Sequence, residues 1–142
     1  YKDKVPVFGM LERGGKVVAK VVPNIHGDTL LSIVNEHVEK GSVVYTDGAG
    51  YPGINIDYEQ RDVDHSKHFY GTTYVTDEGE IIVVSTNGIE NVWSHFDRMM
   101  LGTYIRVSRK HLQKYVDEFT FRFNTRNFTD SQRFNLLLRN IA

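Results

Sequence analysis

The sequence predicts a mixed α/β fold, a sheet with helices packed on it, and three observations carry that expectation. A glycine-centred hairpin opens the chain, a continuous apolar run lies at 42–46, and everything after residue 88 has helical spacing. Hairpin, helix, buried strand, irregular insert and helices is the order of a layered α/β domain.

Each element has a local reason. Val5 to Leu11 reads as a strand, Gly14-Gly15 as a two-residue hairpin turn, and Lys16 to Val22 as the returning strand, closed by Pro23-Asn24. Asp28 is the expected N-cap of a helix to about Val38, with Leu30, Ile33, Val34 and His37/Val38 at helical spacing and Gly41 ending it. Ser42–Thr46, with Val43-Val44-Tyr45 at its centre, reads as a continuous strand buried on both faces. Residues 48–88 are punctuated by six glycines and Pro52, with short strands expected near 72–76 and 80–85. Ile89, Val92, Trp93, Phe96 and Met100 form a helical stripe that Gly102 breaks. Ser108 is the expected cap of a helix burying Leu112, Tyr115, Val116, Phe119 and Phe123. Asp130 is the expected cap of another with Phe134, Leu137, Leu138 and Ile141.

Length and composition narrow the classes. At 142 residues, with 40% hydrophobic and 25% charged residues, the chain is expected to be one domain with an ordinary core. No apolar stretch approaches the roughly 18 residues of a membrane span, so no membrane partner is expected. With no cysteine there is no disulfide or thiolate zinc site, which suits a cytoplasmic protein. His26, His37, His95 and His111 lack metal-ligand spacing, and neither a serine elbow nor a phosphate-cradling loop is present. The net charge of −1 conceals an asymmetry: residues 1–90 carry 8 Lys/Arg against 14 Asp/Glu, and residues 91–142 carry 9 against 4. An acidic half able to hold metal joined to a basic half able to lie along phosphates fits a nucleic-acid enzyme, although helical surfaces are often Arg-rich for no such reason.

Two acidic residues stand out. Asp47 ends the apolar run Val43-Val44-Tyr45-Thr46, at the carboxyl end of a strand where ligands of α/β sheets bind. Glu90 falls in the first turn of the helix that starts in Thr86-Asn87-Gly88-Ile89-Glu90. Each has a plain structural explanation, since Asp-Gly favours turns and the helix dipole favours an early glutamate. Converging, they would suit a hard cation such as Mg²⁺, which takes one or two carboxylates plus substrate phosphates.

The succession Val43 to Gly48, Tyr51, Asp64-His65-Ser66-Lys67 and Thr86 to Ser94 resembles the catalytic domain of bacterial insertion-sequence transposases of the DDE type, in the subgroup with an N-terminal zinc ribbon. Leu101 to Tyr104, Val107 to Leu112, Tyr115 to Phe119 and Phe121 to Arg126 are similar to the C-terminal signature of the same family. The resemblance covers residues 5–127 and implies a ribonuclease H-like mixed sheet flanked by helices. It also implies two Mg²⁺ or Mn²⁺ ions about 3.5–4 Å apart that activate the attacking oxygen and stabilise the leaving one. It makes Asp47 the second and Glu90 the third carboxylate of the triad. Asn87 becomes a residue behind them or a DNA contact, His65 the edge of the site, and Arg98, Arg109 and Lys110 DNA contacts. The implied function is transposition, metal-dependent cleavage and strand transfer of insertion-sequence DNA on the nucleoid. The oligomeric state stays open, although joining two element ends generally calls for at least a dimer, that is, a homo-oligomer.

Two departures qualify the resemblance. The family's first aspartate lies on a central strand upstream of the segment that opens this chain, and Asp3 is out of place for it. The sequence therefore reads as an N-terminally truncated core, lacking its first strand and expected to bind metal weakly and catalyse poorly. Secondly, Asp97 stands between Phe96 and Arg98 where the family usually places a lysine, on Glu90's face of the helix; Arg98 takes over part of that role. The competing readings are a non-catalytic remnant that binds DNA or a partner chain, and a structure-specific nuclease on the same fold.

Overall fold

A computed structural model describes residues 4–47, 51–63, 72–75, 81–104 and 106–141. Strands β1 (Val7–Leu11) and β2 (Val17–Val21) form the expected antiparallel hairpin, in register Leu11 with Val17 and Val7 with Val21. Its turn is one residue longer than the expected two. Arg13-Gly14-Gly15 lies between Glu12 and Lys16, which hydrogen-bond across the ladder, and Gly14 takes φ 70°. A three-residue loop with glycine in the left-handed region is the next solution after the two-residue one.

Helix α1 (Gly27–His37) follows, starting one residue before the expected cap. Asp28 lies inside its first turn, and the entry is organised by Asn24, whose Oδ1 accepts from the His26 N–H and the Thr29 hydroxyl. Then come β3 (Val43–Thr46), the short helix α2 (Ile54–Asp57) and β4 (Glu59–Asp62). β3 and β4 run parallel, Val43 opposite Glu59 and Thr46 opposite Asp62. β4 is a strand the sequence concealed. β3 is also less buried than a two-faced core strand: Val43 is 39% exposed, and of its residues only Thr46 is fully buried. β5 (Thr72–Val75) and β6 (Ile81–Val84) form a second antiparallel hairpin near the expected positions.

The last third is helical, as the spacing predicts. α3 (Asn87–Met99) runs into a π turn, Met100–Tyr104, that contains the breaking Gly102. A 3₁₀ turn, Arg109–His111, leads into α4 (Leu112–Asn124), so Ser108 caps the turn rather than α4 itself. α5 spans Asp130–Ile141. Its cap lies one residue earlier than expected. The Thr129 hydroxyl accepts from the Gln132 N–H while Gln132 Oε1 accepts from the Thr129 N–H, a reciprocal capping box.

Two apolar clusters sandwich the hairpin. Val17, Ala19, Val92, Phe96, Val116 and Phe119 form the larger, with Val7, Leu11, Val21 and Trp93 against it. Val34, Ile54 and Tyr58 form the smaller, and Phe8, Met10, Val44 and Tyr51 pack on it. Alternation along β1 thus sends Val7 and Leu11 towards α3 and α4, and Phe8 and Met10 towards α1. Trp93 sits edge-on to Phe96, and Phe96 edge-on to Phe119 at 5.3 Å between centroids. Such contacts add about 0.5–1.5 kcal/mol each beyond area burial.

Among the described residues the strands make three separate pairs rather than one sheet. The two edges of the first hairpin are treated differently. The outer edge of β2 is closed by α4: Asn124 accepts from the Val17 N–H at 2.8 Å and donates to the Val17 carbonyl at 2.9 Å, and Gln113 accepts from the Val21 N–H at 2.7 Å. Those amides do the work of a neighbouring strand. The outer edge of β1 and the edge of β3 away from β4 have no strand partner among the described residues.

α3 is fixed on β1 by shape. A Cβ on Gly9 would lie 2.4 Å from Trp93 Cζ2 and 2.8 Å from Cη2, so the indole occupies the space of the missing side chain. Gly9→Ala should cost about 1–3 kcal/mol through overpacking, read as a lowered urea midpoint with unchanged m-value. A midpoint equal to wild type would show that the indole is not held there.

The π turn is tied to α4 by Tyr104, which donates to Glu118; Arg122 pairs with the same carboxylate at 2.9 Å. The Tyr104 bond first, then Arg122, holds Glu118 below its ordinary 4.5, against an opposing push from burial. The Glu118 bond first, then burial, pushes Tyr104 above its ordinary 10.0. A depressed carboxylate adds stability above its unfolded pKa that drains away as pH falls through the folded value. A raised phenol adds stability below its unfolded pKa that drains away as pH rises through the folded value. Tyr104→Phe should therefore lower the urea midpoint most between about pH 5 and 9, with the gap to wild type closing by about pH 3. A gap constant down to that pH would rule out the ionised Glu118 as its source.

Candidate active site

Asp47 is the first residue beyond β3 and is exposed. Its place is set from both sides. Thr46 is buried, and its hydroxyl turns to Asp62 on β4, whose carboxylate also takes a 2.7 Å bond from Gln60. Arg13 from the hairpin turn lies 5.0 Å over the Tyr45 ring, a cation–π contact joining the hairpin to β3. Downstream, Tyr51 is half-buried with its ring 6.4 Å from Phe8 of β1. Burial, and then the negative charge of Asp47, raise the Tyr51 pKa, which places its phenol within the field of that carboxylate.

Glu90 lies in the first turn of α3, exposed, where the helix dipole favours its charge. Thr86, 6% exposed, donates from its hydroxyl to Glu90 Oε1 at 3.1 Å. That bond tethers an exposed carboxylate to a buried residue. Helix α3 in turn is fixed on β1 by Trp93 over Gly9 and by Gly88 against Leu11, where a Cβ would meet Cδ2 at 2.9 Å. Glu90 is thereby held to β1 from the α3 and α4 side. Asp47 follows β3, whose Val44 packs on the same cluster as Phe8 and Met10 of β1 on the α1 side.

The other residues singled out by sequence are distributed as follows. Asn87 is exposed at the start of α3, its N–H bonded to Ser85 Oγ at 3.1 Å. Arg98 is exposed and folds back on the Ser94 carbonyl of its own helix at 3.1 Å, with Asp97 exposed beside it. Arg109 and Lys110 are exposed on the 3₁₀ turn before α4, away from the Thr86–Glu90 segment in sequence. His65 lies outside the described residues. Sequence reasoning missed the tether from Thr86 and the Thr46, Gln60 and Asp62 network. The Thr86-to-Glu90 spacing of four was the available signal for the first; the second needs the parallel register and had none.

Chemically, the donors are hard carboxylate oxygens, which suit Mg²⁺ or Mn²⁺ in company with substrate phosphates. Among the described residues, no group of three or more histidine and carboxylate side chains is gathered to hold a metal ion. No helix among them is long and apolar enough to cross a membrane.

Comparison with known proteins decides the family. Residues 1–124 match the ISXO2-like transposase domain. The chain belongs to that transposase family. It is also 34% identical over 112 residues to an uncharacterized transposase-like protein of Haemophilus influenzae, covering 77% of this chain and 81% of that protein. No solved structure matches it. For a chain of this family, transposition of DNA is the activity that the relationship suggests, and the helix α5 lies beyond the matched residues.

Proposed function

We propose that this chain is the catalytic core of a DDE transposase, a metal-dependent enzyme that cuts insertion-sequence DNA and transfers the cut strand. The observation that carries the reading is the family match over residues 1–124, with Asp47 at the carboxyl end of β3 and Glu90 in the first turn of α3. Asp47 and Glu90 are the metal-holding carboxylates, and Thr86 orients Glu90. Asn87, His65 and Arg98 border the DNA path. Divalent metal, when bound, supplies the charge that activates the attacking oxygen and steadies the leaving one.

The arrangement also supports a ribonuclease H-like sheet completed by one more strand. β1 and β3 both send side chains into the cluster under α1, yet neither edge that remains open has a strand partner among the described residues. A strand inserted there would join hairpin and parallel pair into a single mixed sheet. It would also bring its own residues between Asp47 and Glu90, where the family's first aspartate belongs. Supplied by the same polypeptide or by a second copy, it would complete the triad.

One observation favours the alternative of a non-catalytic member that binds DNA or a partner chain: the described residues gather no third carboxylate. Mn²⁺ titration followed by NMR line broadening separates the two. Broadening centred on residues near 47 and 90, and lost in both Asp47→Ala and Glu90→Ala, is the expected result. Broadening that neither substitution alters, or none that is localised, would sink the metal-site reading and leave the non-catalytic one.

A further inference from the structure

From Arg98 to Val116 the chain carries five Lys/Arg and His111 with no Asp or Glu among them. Arg106, Arg109, Lys110, His111 and Lys114 are all exposed, grouped on the approach to α4 and its first turn. Lys110 and Lys114 are four residues apart and share one side of the helical path. The opposite side is immobilised. Leu112 and Val116 pack in the larger cluster, Gln113 is bonded to Val21 on β2, and Asn124 at the far end grips Val17. Among the described residues Arg106, Lys110, His111 and Lys114 enter no ion pair within the chain, whereas Arg122 and Arg133 do. Arg106, Lys110, His111 and Lys114 are therefore available. Lys114 rides on α4, which is bonded to β2 near both ends, and the others lie on the turn and segment that lead into it.

We propose that this basic ridge, Arg106, Lys110 and Lys114 with Arg109 and His111 beside them, is a sequence-independent docking surface for the phosphate backbone of duplex DNA that works without metal. It rests on the DNA reading given above and adds a second, separately testable binding surface. Charge complementarity selects the occupant. Residues 1–90 bear an excess of six negative charges, so phosphates are repelled from the carboxylate half until metal neutralises it. A ridge of fixed cations on the other half holds the duplex in the meantime. Lysine and arginine on a rigid element supply position rather than sequence readout, since they meet phosphate and not base edges.

The test is fluorescence anisotropy of the intact chain with a labelled random-sequence duplex, in EDTA, across a salt series. Arg106→Gln, Lys110→Gln and Lys114→Gln combined should bind more weakly. The slope of log K against log salt should become shallower by about 0.9 for each phosphate no longer neutralised, about 2.7 in all. A control with Lys4, Lys16 and Lys40 changed to Gln has the same net charge and should bind as wild type does. Equal weakening of both triples would reduce the effect to net charge and overturn the proposal. Wild-type chain that fails to bind duplex at low salt in EDTA would overturn it too, as would polyglutamate competing as well as DNA at equal charge. Mn²⁺ broadening of the ridge triple keeps the readings apart: retained broadening with diminished DNA affinity supports the ridge, while loss of DNA binding only in Glu90→Ala would move the binding surface to the carboxylates and overturn it.

Discussion

The seat of Trp93 over Gly9 is the contact on which the rest of the arrangement depends. A strand residue with any side chain would hold the indole off, and α3 would ride outward by the depth of that side chain. Glu90, three residues before Trp93, would move with it. The same indole begins the aromatic run through Phe96 to Phe119 that joins α3 to α4. Close packing transmits such a displacement rather than absorbing it. A glycine in mid-strand, which costs backbone entropy and packs nothing itself, is thus explained by what it admits.

The second constraint is the asymmetric treatment of the hairpin's edges. An open strand edge is a template for pairing, and proteins close those they do not use. α4 closes β2 with two side-chain amides set eleven residues apart, near opposite ends of the strand, so the sheet cannot grow in that direction. Among the described residues the outer edge of β1 has no strand partner, and Val44 of β3 packs on the same cluster beneath α1 as Phe8 and Met10. On the function proposed above, a further strand pairing at that edge is what would extend the sheet toward β3.

What the sequence disclosed was whatever depends on local periodicity. The hairpin, α1, α3, α4 and α5 follow from alternation or helical spacing and lie within a few residues of expectation. The positions of Asp47 just beyond a strand and of Glu90 in a first helical turn were legible for the same reason. What it concealed depends on distant partners. β4 reads Glu-Gln-Arg-Asp, with no apolar residue, because it is a strand by virtue of pairing with β3 and not by burial. The amides of Gln113 and Asn124 close an edge 92 and 107 residues away. Thr129 rather than Asp130 caps α5 because Gln132 is in reach to return the bond, a choice settled by which side chain answers. The apolar residues of α5 illustrate the opposite failure: their spacing is helical, but Phe134, Leu137 and Leu138 remain 60%, 42% and 49% exposed, since periodicity selects a face and not its partner.

The division of charge along the chain gives these constraints a functional logic. On the proposed function the carboxylates that hold a divalent cation must be accessible, and both Asp47 and Glu90 are exposed at the ends of their elements rather than buried. Exposed carboxylates repel a polyanion, so on the proposed function a DNA substrate would take its anchorage elsewhere until metal is in place. A helix whose inner side is committed to the core and whose ends are bonded to β2 can present lysine and arginine outward with little further loss of freedom. Preorganisation of that kind lowers the entropic cost of binding. On the docking proposed above, the core residues that hold α4 against the hairpin would also set where phosphate lies relative to Glu90, because α3 packs on the same pair of strands.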